Sequence, residues 1–207
     1  MDTLYPNHSL SEAIKADTFR QYGNHSRLNT LKGFFFNRHF RSIITLRLCQ
    51  ASQKWPMPLK LIFFPLFRVV HKISVNLASI DLPWETKIQP GLAITHGWGL
   101  VIAPGCIIES NVTLFHGVTL GRRDRITEKG NELIGYPHIK DGVWIGPNAI
   151  IVGAVTVGEG SRIAGGAFVT EDVPPYSLVI GNPSQIVKSG CLPDIPNAVS
   201  QKDKDYE

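Results

Sequence analysis

The chain has few of the residues that mark several common protein classes. It holds three cysteines in 207 residues, Cys49, Cys106 and Cys191. They are odd in number and far apart, with no CxxC spacing, so no disulfide framework and no zinc knuckle is encoded. A reducing compartment is the simplest reading. No cluster of His, Cys, Asp or Glu has ligand spacing, and no metal is expected. Charged residues make up only 18% of the chain. No basic stripe is interleaved with aromatics, which argues against nucleic acid as a partner. The opening MDTLYPNHSL lacks the charged start and apolar core of a signal peptide, so a cytoplasmic protein is expected. The most apolar run, LKLIFFPLFRVV at 59–70, contains Pro65 and Arg68, is followed by His71 and Lys72, and is too short to span a bilayer. What remains is a globular composition, 43% hydrophobic with a net charge of +4. That charge is spread out and gives at most a mild bias toward anionic partners.

Against this plain background stands a repeat. From Ile88 to about Pro174 an aliphatic residue returns about every six positions. The blocks read IQPGLA, ITHGWG, IAPGCI, IESNVT and LFHGVT, then, after an interruption, IKDGVW, IGPNAI, IVGAVT, VGEGSR, IAGGAF and VTEDVP. A six-residue period predicts a parallel β-helix, with one short strand and one turn per block and three blocks per coil. Aliphatic residues stack inward in columns and small residues allow tight corners. The fold class is therefore mainly β, a left-handed parallel β-helix of hexapeptide repeats over 79–187. Two irregularities point to chemistry. One is the insertion at 121–138, rich in charge and glycine and longer than a neutral connection usually is. The other is the pair of histidines, His96 and His116.

Residues 1–78 lack the repeat and predict a helical region. A short helix is expected around Leu10–Phe19, with Ser11 and Glu12 near its start. A second covers Phe40–Leu48, and a third covers 58–78, with Pro65 kinking it or lying in its first turn. The apolar, cationic third helix would pack on the core or a neighbouring subunit, or lie on the inner face of a membrane. Residues 188–207 lose the pattern and predict a flexible tail.

The stretches D-x5-KIQPGLAITHGWGLVI from Asp81, ESNVTLFHGVTLG, IKDGVWIGPNAIIVGAVTVGEGSRIAGGAFV and EDVPPYSLVIGNPSQIV resemble the hexapeptide-repeat acyltransferases, in their serine acetyltransferase-like branch. The match covers about half the chain, and the ordered set with its VTLG-loop-VWIG interruption is specific. The resemblance implies a homotrimer with active sites between subunits and acetyl transfer from acetyl-CoA to a hydroxyl. It places His96 as the general base, since an alcohol attacks a thioester only as its proton is taken. Asp81 would orient that histidine and stabilise its imidazolium. It also implies a coenzyme A groove lined by Gly121, Gly146, Pro147, Gly165 and Gly166, with Arg162, Lys188, Arg122 and Arg123 as phosphate partners.

Two departures bear on the acceptor. In serine acetyltransferases an aspartate precedes the catalytic histidine, and a second histidine lies in the loop before the repeat resumes. Both help to hold the amino acid. Here those positions are Thr95 and Tyr136. A charged group left unpaired in a site is costly, which disfavours free serine. Tyr136, Trp98 and Trp144 offer flat faces suited to sugar rings. The FRSIITLRLCQ stretch also resembles the capsule and colanic-acid branch. A saccharide O-acetyltransferase is the leading expectation, with His116 and His138 as further acceptor contacts. The alternatives are a serine O-acetyltransferase of cysteine biosynthesis and a trimeric β-helix scaffold without activity.

Overall fold

The computed structural model describes residues 8–126, 132–193 and 195–199. Four helices lead into a coil of short parallel strands. α1 (Leu10–Tyr22) starts at Ser9, not Ser11. The Ser9 hydroxyl accepts from the Glu12 backbone N–H, and the Glu12 carboxylate accepts from the Ser9 N–H, a reciprocal cap that satisfies two orphan donors. The helix stops at Gly23, whose φ of 73° suits a residue without Cβ. α2 (Arg27–Phe36) was not anticipated from the sequence. α3 (Arg38–Ser52) begins at Asn37, whose side-chain oxygen accepts from the backbone N–H groups of His39 and Phe40. α4 (Met57–Ala78) is one continuous helix that contains Pro65.

α4 also corrects the estimate of its length. It has 22 residues and, by length and composition, could cross a membrane. One face is nevertheless committed to protein, with His71, Ser74, Val75 and Ala78 buried. The His71 ring lies between the Thr45 hydroxyl of α3 and the Leu82 carbonyl, 2.9 and 2.8 Å away. The opposite face carries Ile62, Leu66, Val69, Ile73 and Leu77, all more than half exposed. No aspartate or glutamate occurs between Asp17 and Asp81, a span that holds ten lysines and arginines.

The β-helix has three parallel sheets, visited in turn. The first stacks Lys87–Ile88, Ile107–Ile108, His138–Ile139 and Thr156–Val157. The second stacks Ala93–Thr95, Thr113–Phe115, Trp144–Ile145, Arg162–Ile163 and Leu178–Ile180. The third stacks Val101–Ile102, Thr119–Gly121, Ile150–Val152 and Phe168–Val169. Inward residues fall in register: Ile94, Leu114, Ile145 and Ile163 form one column, and Ile102, Leu120, Ile151 and Val169 another. These positions are at most 4% exposed. Their burial is the main stabilising contribution, at about 25 cal/mol per Å² of apolar surface.

Three corners break the six-residue step, the last by shortening it, with the inward Val169 and Val173 four positions apart. Ile94 and Ile102 are eight positions apart, so the corner carrying His96 is two residues longer than its neighbours. The second break is the insertion, which is more than a loop. Arg123–Ile126 and Glu132–Gly135 pair antiparallel as a hairpin, and residues 127–131 of the expected loop lie outside the described residues. The coils continue past it in register, with Leu120 opposite Ile151 and Ile108 opposite Ile139.

The helices are fastened to the first coils by buried charge. Arg47 donates to both Asp17 oxygens at 2.8 and 3.3 Å, and to the carbonyls of Ile88 and Gln89. Asp17 also accepts from the Gly91 N–H. The expected flexible tail is partly fixed. Gln185–Lys188 adds an antiparallel strand to the second sheet, and Val199 exchanges two hydrogen bonds with the Asn111 side chain. Arg20 of α1 donates to the Pro196 carbonyl and to the Thr113 hydroxyl. Residues 194 and 200–207 of that tail lie outside the described residues.

Candidate active site

The widened corner brings its functional groups to the surface. His96 sits at φ 51°, a left-handed conformation uncommon for a residue with a side chain. It is exposed, while Thr95 before it is half-buried and Gly97 after it is buried. The turn is closed by the Trp98 N–H donating to the His96 carbonyl at 2.6 Å. It is tied below to the helical region, where the Gly99 N–H donates to Ser79. Asp81 follows directly and bridges to Val101 on the third sheet, beside this corner. Asp81 and His96 are neighbours by fold, but no hydrogen bond joins their side chains. Such contacts commonly tighten only with substrate present.

Several of the expected residues fall on one edge of the prism, between the second and third sheets. The Gly117 N–H donates to the Trp98 carbonyl, so the His116 corner lies one layer above the His96 corner. The Asn148 N–H then donates to His116, and the Gly166 N–H to Pro147. The edge therefore runs from His96 past His116 and Pro147 to Gly165 and Gly166, parallel to the coil axis. A Cβ at Gly166 would meet nothing within 4 Å, so the upper part of this edge is open. A Cβ at Gly146 would instead strike the Gly165 backbone at 2.7 Å, which makes Gly146 a packing residue. Arg162 and Lys188 lie near the top of the edge, each paired in register with Leu178. His116 Nδ1 is buried without a hydrogen-bond partner.

Other expected residues fall elsewhere. Gly121, Arg122 and Tyr136 belong to the edge between the third and first sheets, where the insertion leaves the prism. Arg122 donates to Asp124 at 2.6 Å. His138 is on the first sheet, with Nε2 2.8 Å from Glu109, which also receives Lys140 at 3.0 Å. Burial opposes ionisation of Glu109, yet hydrogen bonds from Lys140 and His138 hold its carboxyl below the usual range. His138 is thus hydrogen-bonded to Glu109 on another face, not a neighbour of His96 within one chain.

The flat aromatic rings expected to stack on a sugar already make contacts within the chain, although Trp98 remains 49% exposed. The Arg38 guanidinium lies 3.5 Å above the Trp98 ring. Trp144 packs on Phe115, with ring centroids 4.9 Å apart, and has Arg162 at 5.1 Å. The Tyr136 ring covers Gly105, where any Cβ would clash at 2.5 Å. Sequence reasoning missed Arg38 and His39 altogether. They are far from His96 in the chain, and only the docking of α3 brings them to its corner. His39 is 8% exposed, and its side chain touches the Gly97 position. Burial, then Arg38, then His96 push its pKa down to about 4, so it is neutral.

Comparisons with known proteins accord with this architecture. The bacterial transferase hexapeptide family (six repeats) matches residues 136–171. The serine acetyltransferase of Bacillus subtilis (strain 168) is 40% identical over 125 residues, covering 60% of this chain and 55% of that protein. The serine acetyltransferase of Bacillus pumilus (strain SAFR-032) is 34% identical over 150 residues, covering 69% of this chain and 67% of that protein. The chain belongs to the serine acetyltransferase family of hexapeptide-repeat transferases. A solved family structure, serine acetyltransferase in complex with coenzyme A from Brucella abortus strain S19, aligns with a TM-score of 0.68 at 28% identity. It covers 87% of this chain and 69% of that one. Against the first curated family relative the chain spans only about half the length. These relatives carry the serine acetyltransferase name, so the expected capsule and colanic-acid branch of the family finds no support among them.

Proposed function

We propose that the chain is an acetyl-CoA-dependent O-acetyltransferase whose acceptor is a small hydroxyl amino acid, L-serine. The observation that carries the chemistry is the widened corner, which presents His96 at the foot of an edge lined by small residues. The unprotonated ring nitrogen of His96 takes the acceptor's hydroxyl proton as the oxygen attacks the thioester carbonyl. Collapse of the tetrahedral adduct breaks the carbon–sulfur bond. The departing thiolate takes the proton back from the imidazolium, giving the O-acetyl ester and free coenzyme A. Asp81, beside the corner, would hold the imidazole and stabilise its charged form.

The donor fits the edge above His96. Small residues there leave room for a pantetheine chain parallel to the axis, and Arg162 and Lys188 lie where phosphates would end. A homotrimer of left-handed coils belongs to the same reading. Tyr136 and Arg122 occupy a different edge from His96, so a site using both draws on two copies. A cytoplasmic location follows from the same family reading.

Serine is favoured over a saccharide by the names of the relatives and by the internal contacts that the Trp144 and Tyr136 rings already make. The saccharide reading rests on Thr95 and Tyr136, which are uncharged at the two positions that would hold a zwitterion. The test is thiol release from acetyl-CoA with L-serine and with a panel of neutral oligosaccharides, in wild type and His96→Ala. Serine-dependent release that disappears in the variant supports the proposal. Release only with oligosaccharides moves the chain to the second reading. Retention of full turnover by His96→Ala rejects the mechanism.

A further inference from the structure

The corner that holds His96 is not built from the β-helix alone. Arg38, the first residue of α3, stacks its guanidinium 3.5 Å above the Trp98 ring, two residues from His96. Asn37 caps the backbone N–H groups of His39 and Phe40, which fixes where Arg38 leaves the helix. Stacking uses the flat face of a guanidinium and leaves its N–H edge in the ring plane, the geometry that grips a carboxylate with two parallel hydrogen bonds. No carboxylate pairs with Arg38 among the described residues.

A second observation points to the same place. His39 is 8% exposed, and its Nε2 is buried without a hydrogen-bond partner. A Cβ at Gly97, between His96 and Trp98, would lie 3.4 Å from that nitrogen. An unsatisfied buried polar atom is costly and calls for an explanation. Here it adjoins an exposed base and a guanidinium edge, all on one corner.

We infer that Arg38, held on Trp98, is the acceptor's carboxylate-recognition residue, so that the acceptor is a hydroxyl compound that bears a carboxylate. This rests on the O-acetyltransferase reading and adds the group that reads the acceptor's charge. It also supplies a cation at a site whose corner sequence, Thr95–Gly99, has no arginine or lysine. Arg38 acts by binding and orientation, and His96 remains the base.

The test is a substrate comparison on the full chain. Steady-state kinetics with L-serine and with L-serinamide, which keeps the hydroxyl and amine but lacks the carboxylate, are measured for wild type, Arg38→Gln and Arg38→Lys. Arg38→Gln should cut the preference for serine over serinamide by about tenfold or more, chiefly through the serine KM, the size expected for a charge-assisted pair. Arg38→Lys should recover part of it. An unchanged thermal midpoint guards against misfolding. Equal losses with both acceptors, or no loss with either, overturn the inference. Glucuronate against glucose forms a second arm. A wild type that prefers the acceptor without a carboxylate in both arms overturns the inference while leaving acetyl transfer intact. A wild type that releases no thiol with any acceptor defeats the underlying reading as well.

Discussion

The β-helix and the helical region solve the burial problem differently. Each coil of the β-helix closes on itself: its inward columns are almost completely buried, and its polar backbone is paired to the coils above and below. The helical region closes only on one side. α4 packs His71 and Val75 inward yet leaves Ile62, Leu66, Val69, Ile73 and Leu77 in the open, on a segment without a single acidic residue between Asp17 and Asp81. The β-helix is thus internally complete. The helices present an exposed apolar face on α4, with Lys60, Arg68 and Lys72 on the same helix.

The sharpest break in the comparison is catalytic. His96→Ala should lower acceptor-dependent turnover by about 10²–10⁴-fold, read as thiol release, while denaturant stability stays close to wild type because the side chain is exposed. Next comes the junction. Asp17→Asn leaves Arg47 buried without its charge partner and should cost about 3–5 kcal/mol in urea unfolding. A separate early transition for the helices would show that the ion pair couples the two regions. A third test contrasts their surfaces. Leu114→Ala inside the prism should cost about 3 kcal/mol. Leu66→Ala on the open face of α4 should stay within about 0.5 kcal/mol for an uncovered residue. A loss near the Leu114 value would mean that another copy covers that face, and sedimentation of Leu66→Glu would then show dissociation.

A fourth test concerns pH. His39 is buried neutral, with a pKa of about 4 against an ordinary 6.5. The unfolded chain therefore binds a proton that the folded chain refuses between those values. Stability is fully present above about pH 6.5 and falls as pH drops toward about 4, by the linkage of proton uptake to unfolding. His39→Phe should flatten that slope relative to wild type in unfolding midpoints taken across this window.

The sequence showed most of the β-helix because a column of inward residues imposes its period directly on the chain. Ile94, Leu114 and Ile145 announce themselves. His96 was legible only through the family resemblance, which matches its block ITHGWG to the position of the catalytic histidine; the longer corner it stands on was not read. α2 was not legible, because its Leu28, Leu31, Phe35 and Phe36 face outward and give no core stripe, and Ser26 makes no side-chain cap. The hairpin at the insertion was hidden by charged residues that read as loop. Arg38 and His39 were invisible for a deeper reason. Their role comes from the docking of α3 on a corner more than fifty positions away, and no local pattern encodes that contact.

Arg20 near the start of the chain reaches Pro196, and Asn111 clasps Val199. α1 is therefore fastened by a segment that follows the whole β-helix in the chain. Coils can stack as they appear, at roughly 5–20 residues per second, but this clasp waits until residue 199 has cleared the exit tunnel. A stalled or truncated nascent chain would hold a wound prism with an unfastened α1. A proteolysis signal placed in α1 would then report that this segment has emerged.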